Sequence, residues 1–195
     1  MVDSIILASK SSVRKKILEE NDIKCKVIPS NVDEDLIKKS LLNENANPEM
    51  ISKNLAELKA NKISNKENEK LVLGADSVID LNNEIISKPK NRNEALEILK
   101  KLNGKKHYLI SSVCISMNGS MIWNYTDKAT LTMKKMSDEE LQKYLSKISD
   151  EALYAYNVYQ IEGEGRALFS NIEGDEDTIM GLPVKQIKDY LESYE

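Results

Sequence analysis

Three short segments bring together residue types that can work on phosphate. Ser9-Lys10-Ser11-Ser12-Val13-Arg14 is a hydroxyl-rich loop ending in an arginine. Unpaired backbone N–H groups at a helix start, serine hydroxyls and a guanidinium can hold phosphate oxygens together. Taken alone, the same residues also make an ordinary capped turn. Gly74-Ala75-Asp76-Ser77, followed by Lys88-Pro89, sets a carboxylate in the middle of an apolar stretch. Burial there demands a cationic partner or a metal, although an isolated pair of this kind is commonly structural. Glu162-Gly163-Glu164-Gly165, with Gly181-Leu182-Pro183 downstream, supplies glycines that allow the backbone close to a ligand, and is by itself also the composition of a turn.

The elements around these segments can be read from pattern and punctuation. Ser4 to Ala8 is a short apolar run expected as a buried strand, and Val13 to Glu20 has helical spacing, so the first segment sits between a strand and a helix. Asn47-Pro48 opens a helix that would place Ile51, Leu55 and Leu58 on one face. Leu71 to Leu73 and Val78-Ile79 frame a strand with Asp76 inside it. Asn91 caps a helix carrying Ala95, Leu96, Ile98, Leu99 and Leu102, with Gly104 just past its end. His107 to Met117 and Met121 to Tyr125 form a hairpin through Asn118-Gly119, and Ala129 to Lys134 is expected as a further strand. Ser137 and Glu140 make a capping box, and Pro183 opens a last helix with Val184, Ile187 and Leu191 on one face. Alternating strands and helices together with an obligatory hairpin predict a mixed α/β sheet with flanking helices.

Composition narrows the classes of function. A chain of 195 residues, 41 % hydrophobic, is long enough for one substantial core, so a single domain over 1–195 is expected. Its net charge of -4 is opposed to a broad nucleic-acid footprint, so no nucleic-acid partner is expected and any phosphate must be held in a local pocket. No apolar run approaches the roughly 20 residues of a membrane span, so no membrane partner is expected either. Cys25 and Cys114 are far apart, lack metal-ligand spacing and follow no signal-peptide pattern, which predicts buried thiols in a reducing, cytoplasmic setting. His107, the single histidine, and Trp123, the single tryptophan, are read as packing residues.

Taken in order, the motifs resemble the Maf family of nucleotide pyrophosphatases over nearly the whole chain. The resemblance rests on Ile6-Leu7-Ala8-Ser9-Lys10-Ser11 with Arg14, Pro29-Ser30-Asn31-Val32-Asp33-Glu34, Leu55-Ala56-Glu57-Leu58-Lys59-Ala60 and Val72-Leu73-Gly74-Ala75-Asp76-Ser77-Val78. It continues through Lys88-Pro89, Glu94-Ala95 and Leu102-Asn103-Gly104-Lys105-Lys106-His107. It closes with Tyr159-Gln160-Ile161-Glu162-Gly163, Ile172-Glu173-Gly174-Asp175 and Gly181-Leu182-Pro183.

The resemblance implies an elongated, two-lobed α/β fold with a central cleft, related in shape to the inosine triphosphate pyrophosphatases. It implies hydrolysis of a nucleoside triphosphate to monophosphate and pyrophosphate with Mg²⁺ or Mn²⁺, keeping non-standard nucleotides from incorporation, and a homodimer. Asp76 then matches the family's proton acceptor, with Glu34, Lys59 and Lys88 beside it, Asp76 and Glu34 toward the metal, and Ser9, Ser11, Val13, Arg14, Ser77 and Glu162 toward the substrate. The alternative the family allows is a nucleotide-binding regulator of cell division without significant catalysis.

Departures bear on the base. Many members read Ser-Pro-Arg-Arg where this chain has Ser11-Ser12-Val13-Arg14, and Asp-Thr where it has Asp76-Ser77. The glutamine of pyrimidine-specific members aligns with Glu162, not with Gln160. An ionised glutamate only accepts hydrogen bonds and suits the adjacent N1–H and N2–H of guanine, so a purine or modified purine is expected. Members acting on 7-methyl-GTP pair that glutamate with a tryptophan where Val13 stands, and valine offers a cationic base no aromatic face.

Overall fold

The computed structural model describes residues 4–156 and 158–194. The first strand, β1 (Ile5–Leu7), is wholly buried and pairs in parallel on both edges, which is why it is an unbroken apolar run. Helix α1 (Ser12–Glu20) is capped by Ser11, whose hydroxyl accepts from the Arg14 N–H, and leads to edge strand β2 (Cys25–Val27). Helix α2 (Glu34–Asn43) is capped by Asp33, and α3 (Pro48–Ser64) by Asn47 with proline at its first position. There follow β3 (Val72–Leu81), β4 (Glu84–Ile86), α4 (Arg92–Leu102), β5 (Lys106–Met117) and β6 (Ser120–Met133). The last part holds α5 (Asp138–Lys147) with its capping box, α6 (Asp150–Tyr156), a 3-10 turn (Glu164–Leu168), β7 (Phe169–Glu173), α7 (Glu176–Ile179) and α8 (Val184–Ser193).

All seven strands belong to one mixed sheet ordered β2-β1-β3-β5-β6-β7, with β4 on β3. The pairs of β1 are parallel and the rest antiparallel, as a chain that mixes crossovers with an Asn118-Gly119 hairpin requires. Two large hydrophobic clusters divide the long central strands. One gathers Leu71, Leu73, Ala75, Val113 and Ile115 against β1, α1 and α8. The other gathers Ile79, Leu81 and Leu109 against α4, α5 and the 158–169 segment. Asp76 and Ser77 fall on β3 between the two.

Two expectations change. Ile51 and Leu55 are fully buried but Leu58 is 42 % exposed, because the buried stripe of α3 runs through Ser52, Ala56, Lys59, Ala60 and Ile63 instead. The cause lies on another element: a Cβ at Gly74 would come within 2.2 Å of the Ala56 carbonyl oxygen, so glycine lets α3 approach β3 along its small residues. Met121 to Tyr125 and Ala129 to Lys134 are not two strands; β6 runs unbroken through Asp127-Lys128, its ladder carried by the long β5 and by a Ser112–Thr126 hydroxyl pair at 2.9 Å.

Other local expectations hold. Gly104 follows the α4 C-cap at φ +68, and Val184, Ile187 and Leu191 are the buried face of α8. The expected burial of both thiols holds for Cys114 and not for Cys25, which lies half-buried on the edge strand. Trp123 stacks on Tyr190 of α8 with ring centroids 4.8 Å apart.

Candidate active site

Strand β3 has one edge fully paired to β5, from Val72 to Asp80. On the other edge β1 pairs with Val72 and Leu73, and β4 pairs with Ile79, Asp80 and Leu81. Between them residues 74–78 face a gap. The chain runs from β1 through α1 to β2 on one side of it, then crosses back through α2 and α3 to β3 on the other side, so the strand order reverses here. A crevice at the carboxyl end of a parallel strand, where the strand order reverses, is where α/β sheets bind ligands.

Side chains alternate along β3, so Gly74 and Asp76 both face α3 while Ala75 and Ser77 face the opposite way. Asp76 is 4 % exposed, and its Oδ1 accepts from Lys59 Nζ at 2.8 Å. Lys59 sits at a core position of α3 and also reaches Glu34 Oε1 at 2.8 Å and the Ala75 carbonyl at 3.5 Å. One buried ammonium therefore lies between two carboxylates. The Ser52 hydroxyl donates to the Asp76 carbonyl at 3.0 Å and pins the strand to the helix. Asp76 Oδ2 is buried without a hydrogen-bond partner among the described residues, an arrangement that proteins rarely leave without a use. Glu34 stands at the first position of α2, where Asp33 fixes the helix start. Burial opposes its ionisation, but Lys59, then Lys38 and Arg14, outweigh that and hold its carboxyl below the usual range.

Arg14 enters from the other side. Its Nε donates to the Gly181 carbonyl at 2.9 Å, Nη1 to the Ala75 carbonyl at 3.0 Å and to Ser9 Oγ at 3.3 Å, and Nη2 to Ser77 Oγ at 3.1 Å. Of the five N–H donors of a guanidinium, one on Nη2 has no partner among the described residues and could meet a ligand. Arg14 thus ties the loop after β1, the gap in β3 and the Gly181 turn together, and offers phosphate its charge and one donor. Gly181 has φ +97, and a Cβ there would lie 3.0 Å from Ser77 Oγ.

Ser9 is 8 % exposed and accepts from the Ser11 N–H at 3.2 Å; Ser11 is occupied as the α1 cap. Val13 packs half-buried against the β1 and α8 cluster. Lys88, carried past the end of β4, is solvent-accessible, yet reduced solvation lowers its ammonium pKa. Repulsion from Arg14, Lys38 and Lys59 adds to this, against attraction from Glu34. These mutual influences put Lys88 in one electrostatic neighbourhood with Arg14, Glu34 and Lys59.

Glu162 stands apart. It is exposed, at the start of the turn leading to the 3-10 helix, and its Oε1 accepts from Gln160 Nε2 at 2.9 Å. Gly165 is required nearby, since a Cβ there would fall 2.5 Å from the Gln160 backbone nitrogen. The segment is anchored by Tyr159, whose hydroxyl meets His107 Nε2 at 3.1 Å inside an aromatic cluster with Phe169.

For a metal, Asp76 and Glu34 offer hard carboxylate oxygens, and among the described residues no group of three or more His, Cys, Asp or Glu side chains could hold an ion. Two carboxylates suit a Mg²⁺-like ion completed by phosphate oxygens and not a self-sufficient protein cage. No helix among the described residues is long and apolar enough to cross a membrane.

The residue patterns do not single out Ser52, Lys38, Ser111 or Gly181's carbonyl. The available signal was the pair Ser111-Ser112 interrupting the apolar run of β5 directly opposite Ser77 and Asp76.

The family model described as Maf-like protein matches residues 4–194. A nucleoside triphosphate pyrophosphatase of Pelagibacter ubique (strain HTCC1062) is 74 % identical over 191 residues, 98 % of both chains. A 7-methyl-GTP pyrophosphatase of Rhizobium etli (strain ATCC 51251 / DSM 11541 / JCM 21823 / NBRC 15573 / CFN 42) is 34 % identical, over 94 % of this chain and 92 % of that one. Among solved structures, a HAM1 protein from Coxiella burnetii superposes with a TM-score of 0.58 at 13 % identity, over 98 % of this chain and 99 % of its own, a likeness of fold. The chain belongs to the Maf-like protein family.

Proposed function

We propose that this protein hydrolyses a nucleoside triphosphate between its α and β phosphates, giving a nucleoside monophosphate and pyrophosphate. The observation that carries it is the buried carboxylate of Asp76, with one oxygen bound to Lys59 and the other unpartnered among the described residues, in a strand gap lined by Arg14 and Lys59 with Lys88 in the same electrostatic neighbourhood. The names of the relatives agree with this activity.

In this reaction a water oxygen forms a bond to phosphorus, the bridging P–O bond breaks, and the water's proton leaves toward a base. Asp76 Oδ2 is the acceptor, and Lys59 orients the carboxylate through its other oxygen. Arg14 and Lys88 offset the charge that gathers on the phosphate oxygens, and Ser9 helps hold Arg14 in place. Asp76 and Glu34 would hold a divalent cation, Mg²⁺ or Mn²⁺, which would supply further neutralisation of that charge. Glu162 is the base reader: an exposed carboxylate accepts two N–H bonds from guanine but opposes the carbonyl oxygens of uracil or thymine. The substrate class is therefore a guanine-type triphosphate, ordinary or modified, whose removal keeps it from incorporation. The setting is the cytoplasm, where free triphosphates are used, and the assembly is the homodimer that the family resemblance implies. An intact set of Asp76, Glu34, Lys59 and Lys88 speaks against a binding regulator without catalysis.

The test is a hydrolysis panel of ordinary and modified triphosphates with Mg²⁺ and Mn²⁺, reading both products. Equal amounts of monophosphate and pyrophosphate are expected, greatest for guanine bases. No turnover of any triphosphate, or release of diphosphate and orthophosphate, refutes it.

A further inference from the structure

Behind Arg14 lies a closed ring of hydrogen bonds whose direction is fixed by one carbonyl. The Ser111 hydroxyl donates to the Thr178 carbonyl at 2.7 Å, and a carbonyl can only accept. Ser111 has a single proton, so toward Ser77, 2.8 Å away, it can only be the acceptor, and Ser77 must be the donor. The Ser77 proton is then committed, which leaves its lone pairs toward Arg14 Nη2. The ring closes on the other side: the Gly181 N–H donates to the same Thr178 carbonyl at 3.0 Å, and the Gly181 carbonyl accepts from Arg14 Nε. Ser111 and Thr178 are both wholly buried, so no water competes for these positions. Thr178 is in turn held by its own hydroxyl, which donates to Asp127 Oδ2 at 2.6 Å.

We propose that Ser111 is a positioning residue for Arg14: it turns the Ser77 hydroxyl into an obligate acceptor and so fixes the guanidinium with its one remaining N–H toward the phosphates. Ser77 accordingly serves the arginine and has no proton to offer the substrate. Without the Ser111 hydroxyl, the Ser77 proton loses its acceptor and the Ser77 hydroxyl is free to rotate, so the lone pair that Arg14 Nη2 uses is no longer held in place. The Thr178 carbonyl would keep the Gly181 N–H, so the loss of Ser111 does not orphan it.

This inference rests on the hydrolytic function proposed above, and the experiment separates the two. Wild type, Ser111→Ala, Arg14→Ala and the double variant are compared for kcat/KM and, by calorimetry, for affinity toward inorganic triphosphate, which needs no turnover. Ser111→Ala is expected to lower both by about tenfold, the scale of one hydrogen bond to a charged group. In the Arg14→Ala background the same change is expected to have no further effect, because its whole influence passes through Arg14. Ser111→Cys, nearly the same size but a poor donor and acceptor, gives the same pattern if Ser111→Ala does not fold. Equal losses with and without Arg14, or no loss at all, overturn the positioning role. Wild type that binds triphosphate without hydrolysing it refutes the function alone, and the affinity cycle then still decides the role of Ser111.

Discussion

The neighbourhoods of Asp76 and His107 are equally buried and built on adjacent strands of one sheet, yet they hold opposite kinds of side chain. At Asp76 the buried Lys59 ammonium stands at hydrogen-bond distance between two carboxylates, and Glu34 is held below its usual pKa in spite of burial. Around His107 no counter-charge is present among the described residues. Burial, opposed by a hydrogen bond with the Lys105 backbone, pushes its imidazole pKa down to about 4; burial, with smaller contributions from Glu164 and Tyr144, raises the phenols of Tyr144 and Tyr159. The difference shows what burial does by default and what partners change. The first neighbourhood keeps charge where phosphate chemistry can use it. The second is neutral packing, and its product is a firm anchor for the segment that ends in the exposed Glu162. In the proposed function, the phosphate half of the site would be prebuilt, and the base half would be a single carboxylate at the surface.

Breaking the charged neighbourhood should have the largest effect. Lys59→Met leaves Asp76 buried without its cation. It is expected to lose about 3–5 kcal/mol of stability in urea unfolding, together with most turnover. Wild-type stability would mean that the buried pair contributes nothing. The neutral neighbourhood should answer to pH instead. With a folded pKa near 4 and an ordinary unfolded one near 6.5, the unfolded chain binds the extra proton between those values. Stability is then flat above about pH 6.5 and falls on acidification, by about 2 kcal/mol by pH 5. His107→Phe should remove that slope in urea titrations at the two pH values, and an unchanged slope would assign it to other groups. Glu162→Gln tests the base half. Because Glu162 is exposed, stability should not move, while the preference in kcat/KM for guanine over uracil triphosphates should narrow by about tenfold, or 1.4 kcal/mol. An unaltered preference would take base reading away from Glu162.

What was legible in the sequence was local. The strand, hydroxyl loop and helix around Ser9 and Arg14, the misplaced carboxylate of Asp76, the Asn118-Gly119 hairpin and the Ser137 capping box each depend on residues a few positions apart. The partner of Asp76 did not. Lys59 is 17 residues away on a different element, and Glu34 farther still; only the family resemblance pointed to them. The rotation of the α3 face away from Leu58 was hidden for the same reason, since its cause is the missing side chain of Gly74 on another element. Asp127-Lys128 looked like a strand break, and the ladder to β5 carries β6 through it. The Ser77–Ser111 contact shows the same limit: serine in a buried strand is conspicuous, but its direction of donation depends on a carbonyl in α7.

The most direct measurement is turnover of Asp76→Asn beside wild type, at matched folding by thermal unfolding. The change is nearly isosteric, and Lys59 keeps Glu34, so the fold is expected to survive. The expected result is a loss of about 10²–10⁴-fold in pyrophosphate release with triphosphate binding largely retained, the range for removing a general base. A folded variant that still releases pyrophosphate at the wild-type rate would contradict the assignment of Asp76, and with it the claim that the buried charged neighbourhood performs the hydrolysis.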